Sequence, residues 1–436
     1  MTEIINSFPG YEFVNGHNMF RGEDLGKGGW VYAEPGMYTN VALLDVGNMH
    51  GASMLALNKL GEYTKNYKEI RDARMALKHR DYKALENMLD GKLMKYVSSD
   101  QDADDLQSAL KLVLNSTYGI AAATFDNPLR DPRDENNIIA LRGALFMRTL
   151  KDELIQLGYP GIHYKTDSVK IPNATPAIIQ FVKEFGKKYG YEFEHECTYD
   201  RMCLVNNAVY IAKYDDQGIR NKGGKKANEW TATGAQFKQP YVFKRLFSKE
   251  PIEFEDLCET REVKTALYLD MNEGLPDVSK YEAEYDKLNK QVTDPKSKLN
   301  NIEDRNEFER ELHKVTDRIH ELKELIKTGH NYIFIGRTGQ FCPMVDGCGA
   351  GILVRENGDK FDSAPNASGY KWMESEMVKA LGKEDFINRR YFDGLCDDAI
   401  ENISKYCDFE QFVNAEKLTV DPMSDWVNIN SDELPF

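Results

Sequence analysis

The sequence predicts an α+β fold, a sheet with helices covering one side, on the strength of three observations. Val41-Ala42-Leu43-Leu44 is an apolar run of strand length with Asp45 at its exit. Residues 162–171 read as a β-hairpin with Asp167 at its tip. Stretches of helical period lie between and after these runs. In the plainest, residues 137–157, Ile138, Leu141, Leu145, Leu150 and Leu154 recur before Gly158-Tyr159-Pro160-Gly161 stops the pattern. Asp45 and Asp167 are therefore expected on neighbouring strands of one sheet.

The 436 residues suffice for two or three subdomains and a large core, and 41% hydrophobic with 11% aromatic residues is ordinary for a globular protein. No run of eighteen apolar residues occurs, so no transmembrane helix is expected. The first ten residues lack a basic region followed by an apolar one, which argues against a secretory signal. Seven cysteines, an odd number at irregular spacing, point to reduced structural thiols and a cytoplasmic location. Cys342 and Cys348 have no partner pair at zinc-ligand spacing. A net charge of −15 opposes nucleic-acid binding at first sight, but the charge is segregated. Residues 371–436 carry 15 acidic against 7 basic side chains, whereas residues 59–83 hold Lys59, Lys65, Lys68, Arg71, Arg74, Lys78, Arg80 and Lys83.

In chain order, residues 1–40 are rich in Gly and aromatics and read as loop with short strands. Asp45 itself is either a strand-end turn or helix-cap aspartate or a carboxylate facing a triphosphate beside Val46-Gly47-Asn48-Met49-His50. Residues 62–118 read as two antiparallel helices, with a turn near Asp90-Gly91 or across residues 98–102. Arg74 and Lys78, four apart, share a face that either meets polyphosphate or is simply solvated; Arg71 and Arg80 are solvated or touch a DNA backbone. On the second helix, Lys111, Asn115 and Tyr118 share one face, suited to a triphosphate, a sugar and a base, and Gly119 offers a place for the helix to stop. Residues 175–189 form a further helix and residues 193–214 supply strands, notably 202–210.

These residues resemble the family B DNA polymerases, in particular their phage branch. Lys111 to Gly119 matches that family's Lys-x-x-x-Asn-Ser-x-Tyr-Gly motif at every fixed position. Thr166-Asp167-Ser168 matches the end of its last catalytic motif, and Asp45 the start of its first. Arg74 and Lys78 match an Arg-x-x-x-Lys pair in its fingers. The resemblance covers roughly residues 10–270. It implies a right-hand polymerase: palm sheet in residues 1–61 and 120–215, a helical fingers hairpin in 62–119, and a mixed thumb and C-terminal region in 216–436.

The resemblance further implies Asp45 and Asp167 as catalytic ligands of two magnesium ions, roughly 3.5–4 Å apart, with the Val46 carbonyl as a third ligand. Arg74, Lys78 and Lys111 would clamp the outer phosphates of a deoxynucleoside triphosphate, Asn115 and Tyr118 would line the nascent base pair, and His50 the sugar. Thr166, Tyr210 and Lys213 would touch primer–template DNA. The activity implied is primer extension in phage genome replication, within the bacterial host cytoplasm. The alternatives are a catalytically weak, DNA-binding scaffold of a replisome and an RNA-synthesising primase-like enzyme.

This chain departs from the family pattern at named positions. Lys165 stands where the last motif has its first aspartate, and His50 replaces a tyrosine that excludes ribonucleotides. Asn48, Gly51 and Ala52 also differ, and Asn207-Ala208-Val209-Tyr210 keeps only the Tyr of a Lys-Lys-Arg-Tyr grip. Only 44 residues precede Asp45, so proofreading is expected to be absent or to reside on a separate exonuclease polypeptide, as in a split polymerase.

Beyond residue 216, Lys222, Lys225 and Lys226 in a Gly-rich loop are either phosphate contacts or a mobile surface turn. Val278, Tyr281, Tyr285, Leu288 and Val292, then Phe308, Leu312, Val315, Ile319, Leu322 and Ile326, recur at coiled-coil spacing. They predict a helical hairpin over residues 278–327, self-paired or docking a partner. Residues 331–354 read as strands and 371–406 as helices. The acidic tail, residues 419–436, ends in Asp-Glu-Leu-Pro-Phe and resembles the tip of bacterial single-stranded-DNA-binding proteins that engages replication partners.

Overall fold

In a computed structural model, which describes residues 2–129, 137–358, 360–416 and 418, the chain forms two compact units. One comprises Met1–Lys238 with Ala399–Phe436, the other Gln239–Asp398.

The first unit opens with a small antiparallel sheet of β1 (Tyr11–Val14), β2 (His17–Phe20) and β3 (Glu23–Asp24). Its main sheet contains β4 (Val31–Ala33), β5 (Gly36–Val46), β6 (His163–Lys165), β7 (Ser168–Pro172), β8 (Phe193–Leu204), β9 (Tyr210–Tyr214) and β10 (Trp230–Thr233). The strand order is β10-β9-β8-β5-β7-β6-β4, and neighbours are antiparallel. β5 is central, and its alternating residues feed two cores. Ala42, Leu44 and Val46 pack with Leu145, Phe146 and Phe193 beneath the helices Met49–Ala56, Ile138–Gln156 and Pro176–Lys188. Val41 faces the other way, toward Cys197, Tyr199, Met202 and Ala212. At this period of two, Asp45 shares the face of Val41 rather than the helix-covered one.

The helices Thr64–Lys78 and Asp100–Ala121 pack together through Ala73, Leu77 and Ala103, joined by a segment that holds the short helix Tyr82–Leu85 and the single turns Leu89–Gly91 and Met94–Tyr96. Ser99 starts the second by accepting a hydrogen bond from Asp102 N (3.1 Å). Thr175 caps Pro176–Lys188 in the same way, through Ile178 N at 3.3 Å.

In the second unit, β11 (Glu259–Asp270), β12 (Tyr332–Met344), β13 (Ile352–Asn357), β14 (Lys360–Ser363) and β15 (Lys371–Glu374) form a sheet of order β14-β13-β11-β12-β15. Leu267, Phe341, Leu353, Trp372 and Phe392 are buried in this unit. Between β11 and β12 the helices Ser279–Thr293 and Arg305–Lys327 pair, and Arg318 grips Glu284 through Nε (2.9 Å) and Nη2 (3.1 Å).

Several expectations differ from this structure. The second basic-face helix does not stop at Gly119 but continues to Ala121, because Gly119 keeps helical backbone angles. Residues 205–209 are a turn rather than strand: Asn206 Oδ1 accepts from Ala208 N and Val209 N, which folds β8 back onto β9. Residues 371–374 are strand β15 rather than helix, since their backbone completes the edge of β12. Residues 216–238 and 399–416 belong to the first unit. β10 pairs with β9, and Arg201, fully buried, donates to Phe412 O (2.8 Å) and Glu416 O (3.4 Å). The acidic tail of residues 419–436 lies outside the described residues.

Candidate active site

Asp45 lies at the exit of β5, and the tight hairpin of β6 and β7 brings Asp167 beside it. Lys165 pairs with Ser168, leaving Thr166 and Asp167 as a two-residue loop. Asp45 lies opposite Ser168, and Val46 N donates to Asp167 O at 2.8 Å, tying the two motifs together through backbone. The loop is strained. Thr166, β-branched, has a φ of 55°, and Asp167 N donates to Lys165 O (2.7 Å) across it.

Both carboxylates line a cavity of about 1140 Å³. His50, Arg74, Lys78, Lys111, Asn115 and Tyr118 line it too. The sequence-predicted residues on the strand, the hairpin and both helices therefore converge. Val46, Thr166, Tyr210 and Lys213 do not line this cavity. Lys213 borders a smaller one with Asp200 and Glu416, and its ammonium lies 5.8 Å from the Trp230 ring centroid. Tyr210 lies over Lys170, whose Nζ is 4.8 Å from its ring.

The electrostatics are those of a site built for a counter-charge. Burial, with Asp167 and Glu196 nearby, pushes the Asp45 carboxyl up to about 8. Burial also raises Asp167; Glu196 adds to the rise, and Lys111 and Lys170 oppose it. Beneath the hairpin, Lys170 donates to His163 Nδ1 at 3.1 Å, and His163 Nε2 donates to Asn207 O at 3.2 Å. Burial and the Lys170 charge depress this histidine to about 3, so it is a neutral acceptor.

The cations differ from one another. Arg74 is only 9% exposed, its Nε has no hydrogen-bond partner, and among the described residues its guanidinium forms no ion pair. Lys111 is exposed and likewise forms no ion pair among the described residues. Lys78 is engaged, bonded to Glu194 Oε2 at 2.6 Å. That hydrogen bond holds Glu194 below the usual carboxylate range although burial alone would raise it. His50 stacks on Tyr118, with centroids 4.2 Å apart and planes at 14°, and burial lowers its pKa. The Tyr118 hydroxyl accepts from Asn137 Nδ2 at 3.3 Å.

The sequence reading missed Glu194, Glu196 and Asn221. Cys197 pairs with Leu43 and His195 with Leu44, so Glu196 is the extra residue of a β-bulge that brings its carboxylate to the cavity wall. Glu194 lies directly across from Asp45. The one available signal was the alternation Glu194-His195-Glu196 on a strand. Arg80, read as solvated or DNA-facing, pairs with Asp104 at 3.0 Å on the cavity rim.

Among the described residues no group of three or more His, Cys, Asp or Glu side chains is gathered closely enough to hold a metal ion. The donor set nevertheless suits magnesium, which takes oxygen ligands and needs only one or two protein carboxylates beside water and substrate phosphates. A divalent cation beside Asp45 and Asp167 would offset both the burial cost and the mutual repulsion that raise these carboxyls.

The chain is similar in structure to a family B DNA polymerase from the hyperthermophilic archaeon Pyrobaculum calidifontis, with a TM-score of 0.40 and 13% sequence identity. The similarity covers 93% of this chain and 49% of that one, so this chain spans about half the length of that polymerase. No protein-family model and no curated protein matches the sequence.

Proposed function

We propose that this chain is a DNA-directed DNA polymerase that adds deoxynucleotides to a primer 3′-end, serving phage genome replication. The observation that carries the reading is the meeting, in one cavity, of desolvated Asp45 and Asp167 with the buried guanidinium of Arg74 and the ammonium of Lys111, neither of which forms an ion pair among the described residues.

Asp45 and Asp167 would hold two magnesium ions, with the Val46 carbonyl the further ligand that the family resemblance implies, and these would supply activation of the 3′-oxygen and charge neutralisation at the leaving pyrophosphate. The chain's own residues bind, orient and neutralise. Asp45 gives up the proton that burial and its acidic neighbours let it hold at neutral pH. Arg74 offers a forked donor to the outer phosphates and Lys111 a point charge, so both oppose the negative charge that grows in the transition state. Lys78 joins them by exchanging Glu194 for a phosphate oxygen. The stacked His50 and Tyr118 rings form a flat wall for the sugar and base, with Asn115 beside it. Thr166, Tyr210 and Lys213 are assigned to primer–template contact.

A second reading, a replisome scaffold that binds DNA without extending it, draws on two observations. Lys165 stands beside Asp167 where an acidic residue would add a ligand, and Lys78 is already neutralised by Glu194. Extension of a labelled primer–template by the purified chain in magnesium, beside Asp167→Ala, separates the readings. Extension that disappears in the variant supports the polymerase. DNA binding with no extension by the unaltered chain sinks it in favour of the scaffold.

A further inference from the structure

Lys222 and Lys225 line the same cavity, in a loop that the mechanism above leaves unused. The loop is built rather than slack. Asp215 Oδ1 accepts from Gln217 N (3.1 Å) and Gly218 N (3.0 Å), while its Oδ2 pairs with Arg220 Nη2 at 2.7 Å. Arg220 also donates to Thr198 Oγ1 on β8 at 3.2 Å, and Ile219 N closes the loop onto Lys225 O at 2.9 Å. Gly218 sits at a φ of 57°, and a Cβ there would come within 2.5 Å of Lys225 O, so only glycine permits this closure.

Asn221 donates to Glu194 Oε2 at 3.1 Å, the same oxygen that holds Lys78 at 2.6 Å. One carboxylate thus fastens the loop to the basic helix, at the strand position opposite Asp45. Glycines 223 and 224, with φ of 65° and 76°, lie between the two lysines; Gly224 N closes the turn onto Ile219 O at 3.1 Å, and Gly223 has open space beside it. Among the described residues neither Lys222 nor Lys225 forms an ion pair, although Asp45, Asp167 and Glu196 line the same cavity. Two ammonium groups held on a pinned loop, unspent on the protein's own carboxylates, are available to an anion.

We propose that the loop of residues 218–226 is a phosphate clamp whose Lys222 and Lys225 hold the terminal phosphates of the nucleoside triphosphate, in the cavity that Arg74 and Lys111 also line. The identity of the ligand rests on the polymerase reading above; the affinity for polyphosphate does not. Phosphate oxygens are also offered by a DNA backbone, and the test has an arm for each source.

The probe is inorganic tripolyphosphate titrated into the full chain in magnesium buffer by calorimetry, with a primer–template duplex lacking nucleotide as the second arm. Lys222→Gln with Lys225→Gln is expected to weaken tripolyphosphate binding about tenfold or more and to change duplex affinity by about twofold at most. Lys226→Gln, on the same loop but not lining the cavity, is expected to leave both unchanged. The clamp is overturned if the unaltered chain fails to bind tripolyphosphate or if the double variant binds it as well as the unaltered chain. It is also overturned if only duplex affinity falls, which would assign the loop to the DNA backbone. An unchanged circular-dichroism spectrum and melting temperature show that the double variant folds. Should tripolyphosphate bind through the two lysines while the unaltered chain never extends a primer, the polymerase reading fails and the clamp stands.

Discussion

Replacing Asp45 by asparagine is expected to stabilise this protein in the absence of metal and, if the proposed function holds, to abolish primer extension. The carboxyl titrates at 3.8 in an unfolded chain and at about 8 in the folded one, because it is buried beside Asp167 and Glu196. A raised carboxylate means that the folded state holds the proton longer than the unfolded state, so stability falls as pH climbs from about 4 to about 8. At pH 7 the gap from the unfolded value is roughly three units, an upper bound of about 4 kcal/mol at about 1.4 kcal/mol per unit. Asp167 shares the repulsion and the cavity admits water, which halves the figure to about 2 kcal/mol. Asparagine keeps the shape without the charge. The assay is denaturant unfolding of both proteins in chelator at steps from pH 4 to pH 9, reading the difference between them. That difference should be near zero at pH 4, grow to about 2 kcal/mol by pH 7 and level off above pH 8. Magnesium should shrink it by stabilising only the unaltered chain. A difference that is flat with pH, or that favours Asp45 in chelator at pH 8, would refute the reasoning.

Thr166→Gly should relax the hairpin tip, since a β-branched residue at a φ of 55° is disfavoured by about 1 kcal/mol. Thermal melting is expected to rise by about 2 °C, and an unchanged or lowered melting temperature would remove strain from the account of this turn. Arg74→Met should also stabilise the ligand-free chain, by about 1–2 kcal/mol, because it removes a buried charge that has no ion-pair partner among the described residues. The same substitution should raise the KM for deoxynucleotide about tenfold or more. Steady-state extension and denaturant unfolding of one preparation check both halves, and an unaltered KM would take Arg74 out of the phosphate site.

The chemistry-bearing residues of this chain were legible where local geometry governs them. Lys111, Asn115 and Tyr118 share a helix face because 3.6 residues make a turn, and they do line one cavity. Asp45 at a strand exit and Asp167 at the tip of a two-residue hairpin follow from apolar runs and their interruption, and antiparallel pairing then sets them side by side. The helical hairpin between β11 and β12 was written in its repeating apolar positions for the same reason. Gly119 shows where local reading stops: a glycine permits a helix end but does not compel one, and packing carried the helix on to Ala121.

What only the tertiary structure decided is how the charges are spent. Lys78 and Arg74 look alike on one helix face, yet Lys78 is neutralised by Glu194, 116 residues away, while Arg74 is left without an ion pair among the described residues. Glu196 reaches the cavity wall through a bulge in β8, and a bulge is a matter of register with β5, which no local pattern encodes. The 218–226 loop meets the same cavity because Arg220 and Asn221 are tethered to β8. Periodicity and turn chemistry are settled within a few residues of chain. Which carboxylate meets which cation is settled by strand register and long-range packing, and those exist only once the sheet has formed.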